Sequence, residues 1–149
     1  ESTPFHFWSI PNREYPSAGV ITALHKDNNG RIVSGVEYEG VFKITSEGNI
    51  TDHLFSGKTV SSIYKDYSGN LWFGGYYSGL YMQDAKGNVR FMLPEIKLKD
   101  IKKITGDDKG NLYLSLFGSG FIRYHLPTQQ QSVLAFLNHM MDLTGLYIQ

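Results

Sequence analysis

Cysteine is absent from all 149 residues. That excludes disulfides and thiolate metal sites, so the fold must rest on burial and hydrogen bonds. Net charge is absent too, with 14 basic residues against 14 acidic ones. Without a basic excess there is no surface for releasing counterions from a phosphate backbone, so no nucleic-acid partner is expected. No apolar run approaches the ~20 residues that span a bilayer, so no membrane span is expected in this chain. Proline is sparse, at 5. The chain starts Glu1-Ser2-Thr3, with neither an initiator Met nor a signal-peptide pattern, and reads as a processed or excised segment.

Aromatics and glycine are plentiful. Ten Tyr and nine Phe suit pleated, half-buried surfaces, and 16 Gly suit many tight turns between short strands. The composition points to an all-β fold, and a length of 149 residues suits one domain.

A repeat organises the chain. Gly30, Gly69 and Gly110 stand 39 and 41 residues apart. Gly40, Gly79 and Gly120 follow ten residues later in each copy. Asp27, Asp66 and Asp107 precede the first glycine by three residues. Apolar pairs lie further upstream: Ile21 and Leu24, Val60 and Ile63, Ile101 and Ile104. Each unit reads as four short strands, in the second copy Val60–Tyr64, Leu71–Gly74, Leu80–Gln83 and Val89–Leu93. In the turn Asp66-Tyr67-Ser68-Gly69-Asn70, an Asp side chain can bond the backbone two residues on, and Gly supplies a positive φ. The Asp column is therefore expected to be structural, because the alternating oxygen ligands of a calcium loop are missing.

Side chains alternate faces along a strand. On that rule Ile21 and Leu24 place one apolar group on each side, and Leu71-Trp72-Phe73 is apolar on both. Two dry faces mean a sheet packed between two others, as in the stacked blades of a β-propeller. Trp72 is expected between blades. The expected architecture is a propeller fragment. An outer strand of a preceding blade spans 1–15, three blades follow at 20–55, 59–93 and 100–136, and a further blade starts at 138–149. The leftover strand is Phe5–Ile10, and Asp142 to Ile148 restarts the repeat. Such a fragment exposes apolar blade faces. Further blades, or a homodimer closing the ring by two-fold symmetry, are expected to cover them.

The second copy, Val60-x-x-Ile63-x-x-Asp66-x-x-Gly69-Asn70-Leu71-Trp72-Phe73-Gly74 with Ser78-Gly79-Leu80-Tyr81, closely resembles the two-component regulator propeller repeat. The third keeps Gly110-Asn111-Leu112-Tyr113 and Ser119-Gly120-Phe121, while the first is looser. The resemblance covers roughly 16 to 149. It implies the periplasmic sensor region of a hybrid two-component system of the Bacteroides type. It also implies an oligosaccharide ligand and a cytoplasmic histidine kinase elsewhere in the parent. The family's propellers are larger than this chain.

No catalytic set is evident, and no cofactor is expected. His6, His25, His53, His125 and His139 lack metal-ligand spacing. Ser34 and Ser115 lie on strands without a nucleophile elbow. The carboxylate pairs Glu37/Glu39 and Asp107/Asp108 are pairs in sequence only. The candidate ligand residues lie in the loops between second and third strands: Glu37, Tyr38 and Glu39, then Tyr76 and Tyr77, then Phe117. Aromatic faces beside carboxylates can stack on sugar rings and bond their hydroxyls. Three readings compete: a ligand-sensing module, a non-catalytic scaffold for protein contacts, and a propeller-type lyase or hydrolase.

Overall fold

The computed structural model describes residues 19–94 and 100–135. The two strands expected at the ends, 1–15 and 138–149, lie outside the described residues, as do His6 and His139.

Among the described residues, twelve strands form three four-stranded antiparallel sheets, each a meander in chain order. The first sheet holds β1 (Ile21–Lys26), β2 (Ile32–Val36), β3 (Gly40–Ile44) and β4 (Ile50–Leu54). The second holds β5 (Thr59–Lys65), β6 (Leu71–Tyr76), β7 (Gly79–Gln83) and β8 (Val89–Met92). The third holds β9 (Ile101–Gly106), β10 (Asn111–Leu116), β11 (Gly120–His125) and β12 (Gln130–Ala135). The first strands lie side by side, β1 against β5 and β5 against β9. The sheets are therefore stacked around an axis lined by their first strands. This is an open β-propeller fragment of three blades.

The Asp turns are built alike. Asp66 Oδ1 accepts the backbone N–H of Ser68 and of Asn70, each at 2.9 Å. Its Oδ2 accepts Asn70 Nδ2 at 3.0 Å and Trp72 Nε1 at 2.8 Å. Asp107 does the same for Lys109, Asn111 and the Tyr113 hydroxyl. Asp27 caps Asn29 and Arg31, and its Oδ2 takes Arg31 Nε at 2.8 Å. Each carboxylate thus satisfies turn N–H groups that would otherwise lack partners.

Two apolar clusters sit between blades. Val33, Val41, Val60, Leu71 and Phe73 fill the junction of the first and second. Trp72, Leu80, Ile101, Ile104, Leu112, Leu114 and Ile122 fill the junction of the second and third. Leu71 and Phe73 face one way and Trp72 the other, so the middle blade is dry on both faces.

One face assignment is corrected. Each first strand carries an irregularity in register, between Ile21 and Ala23, between Val60 and Ser62, and between Ile101 and Lys103. The extra residue of a bulge restores the phase, so residues three apart share a face. Ile101 and Ile104 both pack against Gly74 of the middle blade. Ile21 and Leu24, in the same columns, lie on the outer face of the first blade. The bulged residue turns its hydroxyl on the next blade. Thr22 Oγ1 donates to Val60 O, and Ser61 Oγ to Ile101 O, each at 2.5 Å.

The strand ends differ slightly from expectation: β6 runs on to Tyr76 and β8 stops at Met92. The links between blades are pinned by Phe55 (φ 57°) and Leu93 (φ 49°). Both side chains pack into the junction cores.

Candidate functional site

In a meander, the turns between second and third strands emerge at the same end as the links between blades. At that end Val36 pairs with Gly40, Gly75 with Gly79 and Leu116 with Gly120. Each pair leaves a three-residue tip. Glu37, Tyr38 and Glu39 form the first, Tyr76, Tyr77 and Ser78 the second, and Phe117, Gly118 and Ser119 the third.

The middle residue of every tip has a positive φ: Tyr38 at 58°, Tyr77 at 49° and Gly118 at 65°. Glycine enters that region freely, whereas a tyrosine costs about 1–2 kcal/mol. The third blade shows the cheap solution. The first two keep a bulky ring instead, and the ring recovers nothing by burial. Tyr38 is 73% exposed and Tyr77 75%. Phe55 and Leu93, also at positive φ, place their side chains in the junction cores. An exposed ring at a strained position calls for a different explanation, and strain of this kind gathers at functional sites.

The next blade holds these tips. Tyr38 N donates to Thr59 Oγ1 at 3.0 Å, and Tyr77 N donates to Asp100 Oδ1 at 2.8 Å. Thr59 and Asp100 occupy the same place in successive blades, at the start of the axial strand. Glu37 N donates to Val20 O, and Phe117 N to Asp100 O. The tips are therefore fixed relative to the axis although their rings are free.

The remaining candidates are more dispersed. Tyr76 and Phe117 are exposed, and Lys102 Nζ stands 5.2 Å from the centre of the Phe117 ring. Glu37 and Glu39 are half-buried. The Glu39 carbonyl lies 2.6 Å from His53 Nε2, and His53 stacks on Phe42. Exposed tyrosines on backbone-fixed tips, flanking carboxylates, and a cation at Phe117 make up an open platform at this end of the blades. The chemistry available there is stacking and hydroxyl recognition.

Among the described residues, His25 and Ser34 are not aligned for nucleophilic chemistry. His25 pairs with Val33 and Ser34 with Leu24, so His25 and Ser34 face opposite sides of their sheet. Among the described residues no group of three His, Cys, Asp or Glu is placed to hold a metal ion. No helix among them is long and apolar enough to cross a membrane.

Sequence reasoning did not pick out Thr59, Asp100 or Lys102. The first two act through the tips they hold, and their common column was the available signal.

Residues 54–77 match the two component regulator propeller family. No curated relative matches the chain in sequence. The fold matches the extracellular domain of a hybrid two component system of B. thetaiotaomicron, with TM-score 0.73 and 21% identity, over 90% of this chain and 18% of that one. A second such domain from the same organism matches with TM-score 0.66 and 17% identity, over 79% of this chain and 18% of the other. Virginiamycin B lyase from Staphylococcus aureus matches with TM-score 0.66 and 17% identity, over 88% of this chain and 45% of the lyase. At such identities the likeness establishes the propeller fold. The chain spans under a fifth of the two extracellular domains.

Proposed function

We propose that this chain is part of the periplasmic, ligand-sensing propeller of a hybrid two-component regulator, and that the tip platform recognises an oligosaccharide. The parent would pass the signal to a cytoplasmic histidine kinase. The observation that carries the ligand site is the pair Tyr38 and Tyr77, kept at strained φ and fully presented where the third blade has Gly118. The matched repeat and the two extracellular domains of similar fold support the sensor reading. Virginiamycin B lyase shares the fold at 17% identity, which carries no catalytic reading for the tips.

Further blades of a longer parent suit the exposed edge. Val20, Ile21 and Leu24 are all exposed, with Leu24 at 65%, whereas its counterpart Ile104 is at 1%. An unburied apolar face of this kind marks an interaction surface. A neighbouring blade would cover it as the middle blade covers Ile104, and a second copy would be the other way to close the ring.

The test is Tyr77→Gly, measured by calorimetry against a panel of oligosaccharides. Glycine relieves the strained φ, so stability should hold or rise by up to about 1 kcal/mol. Loss of one stacked ring should weaken a bound oligosaccharide about tenfold. A variant that binds every responsive sugar as the native chain does would remove the platform from consideration.

A further inference from the structure

The opposite end of the molecule holds a second feature. Between the first and second blades a groove of about 380 Å³ opens beside the two Asp turns. One column distinguishes this junction from the next. The cross-strand pair facing the next blade is Val33 with Lys43 in the first blade and Trp72 with Met82 in the second. Indole and thioether fill the second junction. In the first junction the smaller valine is packed in the apolar core, and its partner Lys43 lines the groove.

Lys43 is 5% exposed, and its Nζ donates to Gln83 Oε1 of the next blade at 2.5 Å. Gln83 is itself held, with Nε2 donating to Gly87 O. On the rim, Lys65 donates to Asn28 Oδ1 at 2.9 Å, again across the junction. Among the described residues both ammonium groups thus meet amide oxygens and no carboxylate. The nearby carboxylates are engaged: Asp27 and Asp52 both accept from Arg31, at 2.8 and 3.0 Å. Asp84 caps its own turn through Lys86 N and Asn88.

A buried cation whose one hydrogen bond goes to a neutral amide is costly, and proteins pair such charges; Asp52 and Asp27 attract Lys43 only through space, since both are bonded to Arg31. An ammonium has three donors, and the bond to Gln83 uses one. We propose that this groove is an oxyanion-binding site, with Lys43 as its anchor and Lys65 at its rim. The ligand group is a carboxylate or a sulfate or phosphate, free or carried on a sugar. The reading is independent of the tip platform, which lies at the other end of the blades. Burial, and then the repulsion of Arg31, hold the Lys43 ammonium below its usual range against the weaker pull of Asp52 and Asp27. A bound anion would reverse that, which makes the site stronger where the lysine is protonated.

The experiment uses the full chain with inorganic sulfate, inorganic phosphate and glucuronate, at ionic strength held constant by chloride. Glucose is the neutral control. At about ten times Kd, an oxyanion should raise Tm by about 4 °C in a saturable way. Lys43→Met installs the residue that the second blade carries. It should keep the fold and abolish the shift, while Tyr77→Gly should leave the shift intact. A preference for glucuronate over both inorganic ions would identify a sugar acid, and the reverse a free ion or ester. If Lys43→Met fails to fold, Lys43→Gln, which keeps a partner for Gln83, carries the same expectation. No saturable shift with any of the three anions would overturn the site, as would a shift that survives the loss of Lys43.

Discussion

The two blade junctions are built from the same columns and filled in different ways. Between the second and third blades, Trp72 lies 2% exposed at the centre. It meets Tyr124 edge-on with ring centres 6.3 Å apart, and it donates its indole N–H to Asp66. Between the first and second blades, Val33 stands in that column, and Arg31 supplies the donor that Asp27 would otherwise lack. One exchange, Trp for Val, is accompanied by Asn to Arg two residues earlier and Met to Lys on the paired strand. The dry junction is a core. The other is a core with a polar groove let into it. The fold therefore tolerates variation in the outer part of a junction so long as its axial part is kept, and the axial latches from Thr22 and Ser61 are the same in both.

The sharpest way to break this contrast is to empty the dry junction. Trp72→Ala should cost about 3–5 kcal/mol in urea or thermal unfolding, from lost burial and the cavity left behind. It also leaves Asp66 short of one donor. Val33→Ala should cost only about 2 kcal/mol, since valine buries less surface. Equal losses would show that the two junctions are energetically alike and that the groove has no bearing on stability.

Much of this architecture was legible in the sequence because turns are chemically marked. The Asp and Gly columns fix where each strand reverses, and an Asp at one position bonds the same turn atoms in every copy. Leu71-Trp72-Phe73 announced two dry faces for the same reason that side chains alternate. What the pattern hid were features that depend on phase or on a neighbour. A single bulge at Thr22, Ser61 and Lys102 puts Ile21 and Leu24 on one face, and no residue type in the sequence marks it. Lys43 looks like an ordinary surface lysine until Gln83, forty residues away, is found beside it. At the tips, the aromatic residues stood out by type, but the left-handed backbone of Tyr38 and Tyr77 did not. Only Gly118 in the third copy hinted at it.

A smaller effect tests how closely the axial strands approach. A Cβ on Gly74 would lie 2.6 Å from Ile101 Cγ2, and one on Gly35 would lie 2.5 Å from the Val60 carbonyl oxygen. Both junctions therefore need a glycine where the next blade's first strand crosses. Gly74→Ala should cost about 1–3 kcal/mol through overpacking. Gly35→Ala should cost at least as much, because its neighbour is backbone and cannot turn away. The third blade carries Ser115 in this column, on its outer face. Ser115→Gly should leave unfolding within about 0.5 kcal/mol of the native chain. A large gain from that change would mean that the serine is already crowded by something packed on the third blade.

The smallest effect concerns the Asp turns that all three blades share. Asp107 is held at about 2, below its ordinary 3.8, first by the backbone N–H of Asn111, then by the Asn111 amide, with the Tyr113 hydroxyl and the Lys109 N–H adding to these. Asp27 is also lowered. Burial opposes the shift, and the hydrogen bonds from Arg31 and Asn29 outweigh it. The sign follows from proton binding. The unfolded chain takes up the proton at higher pH than the folded one, so Asp107 stabilises the fold fully above about pH 4 and progressively less as pH falls towards 2, and Asp27 acts in the same direction. Asp107→Asn removes the titration while keeping an oxygen to accept the turn N–H groups. The native chain should melt higher than Asp107→Asn at pH 6, and the gap should close as pH falls from 4 to 2. A gap that stays constant over that range would mean that Asp107 holds its turn by shape alone, and that charge contributes nothing to the columns on which the repeat is built.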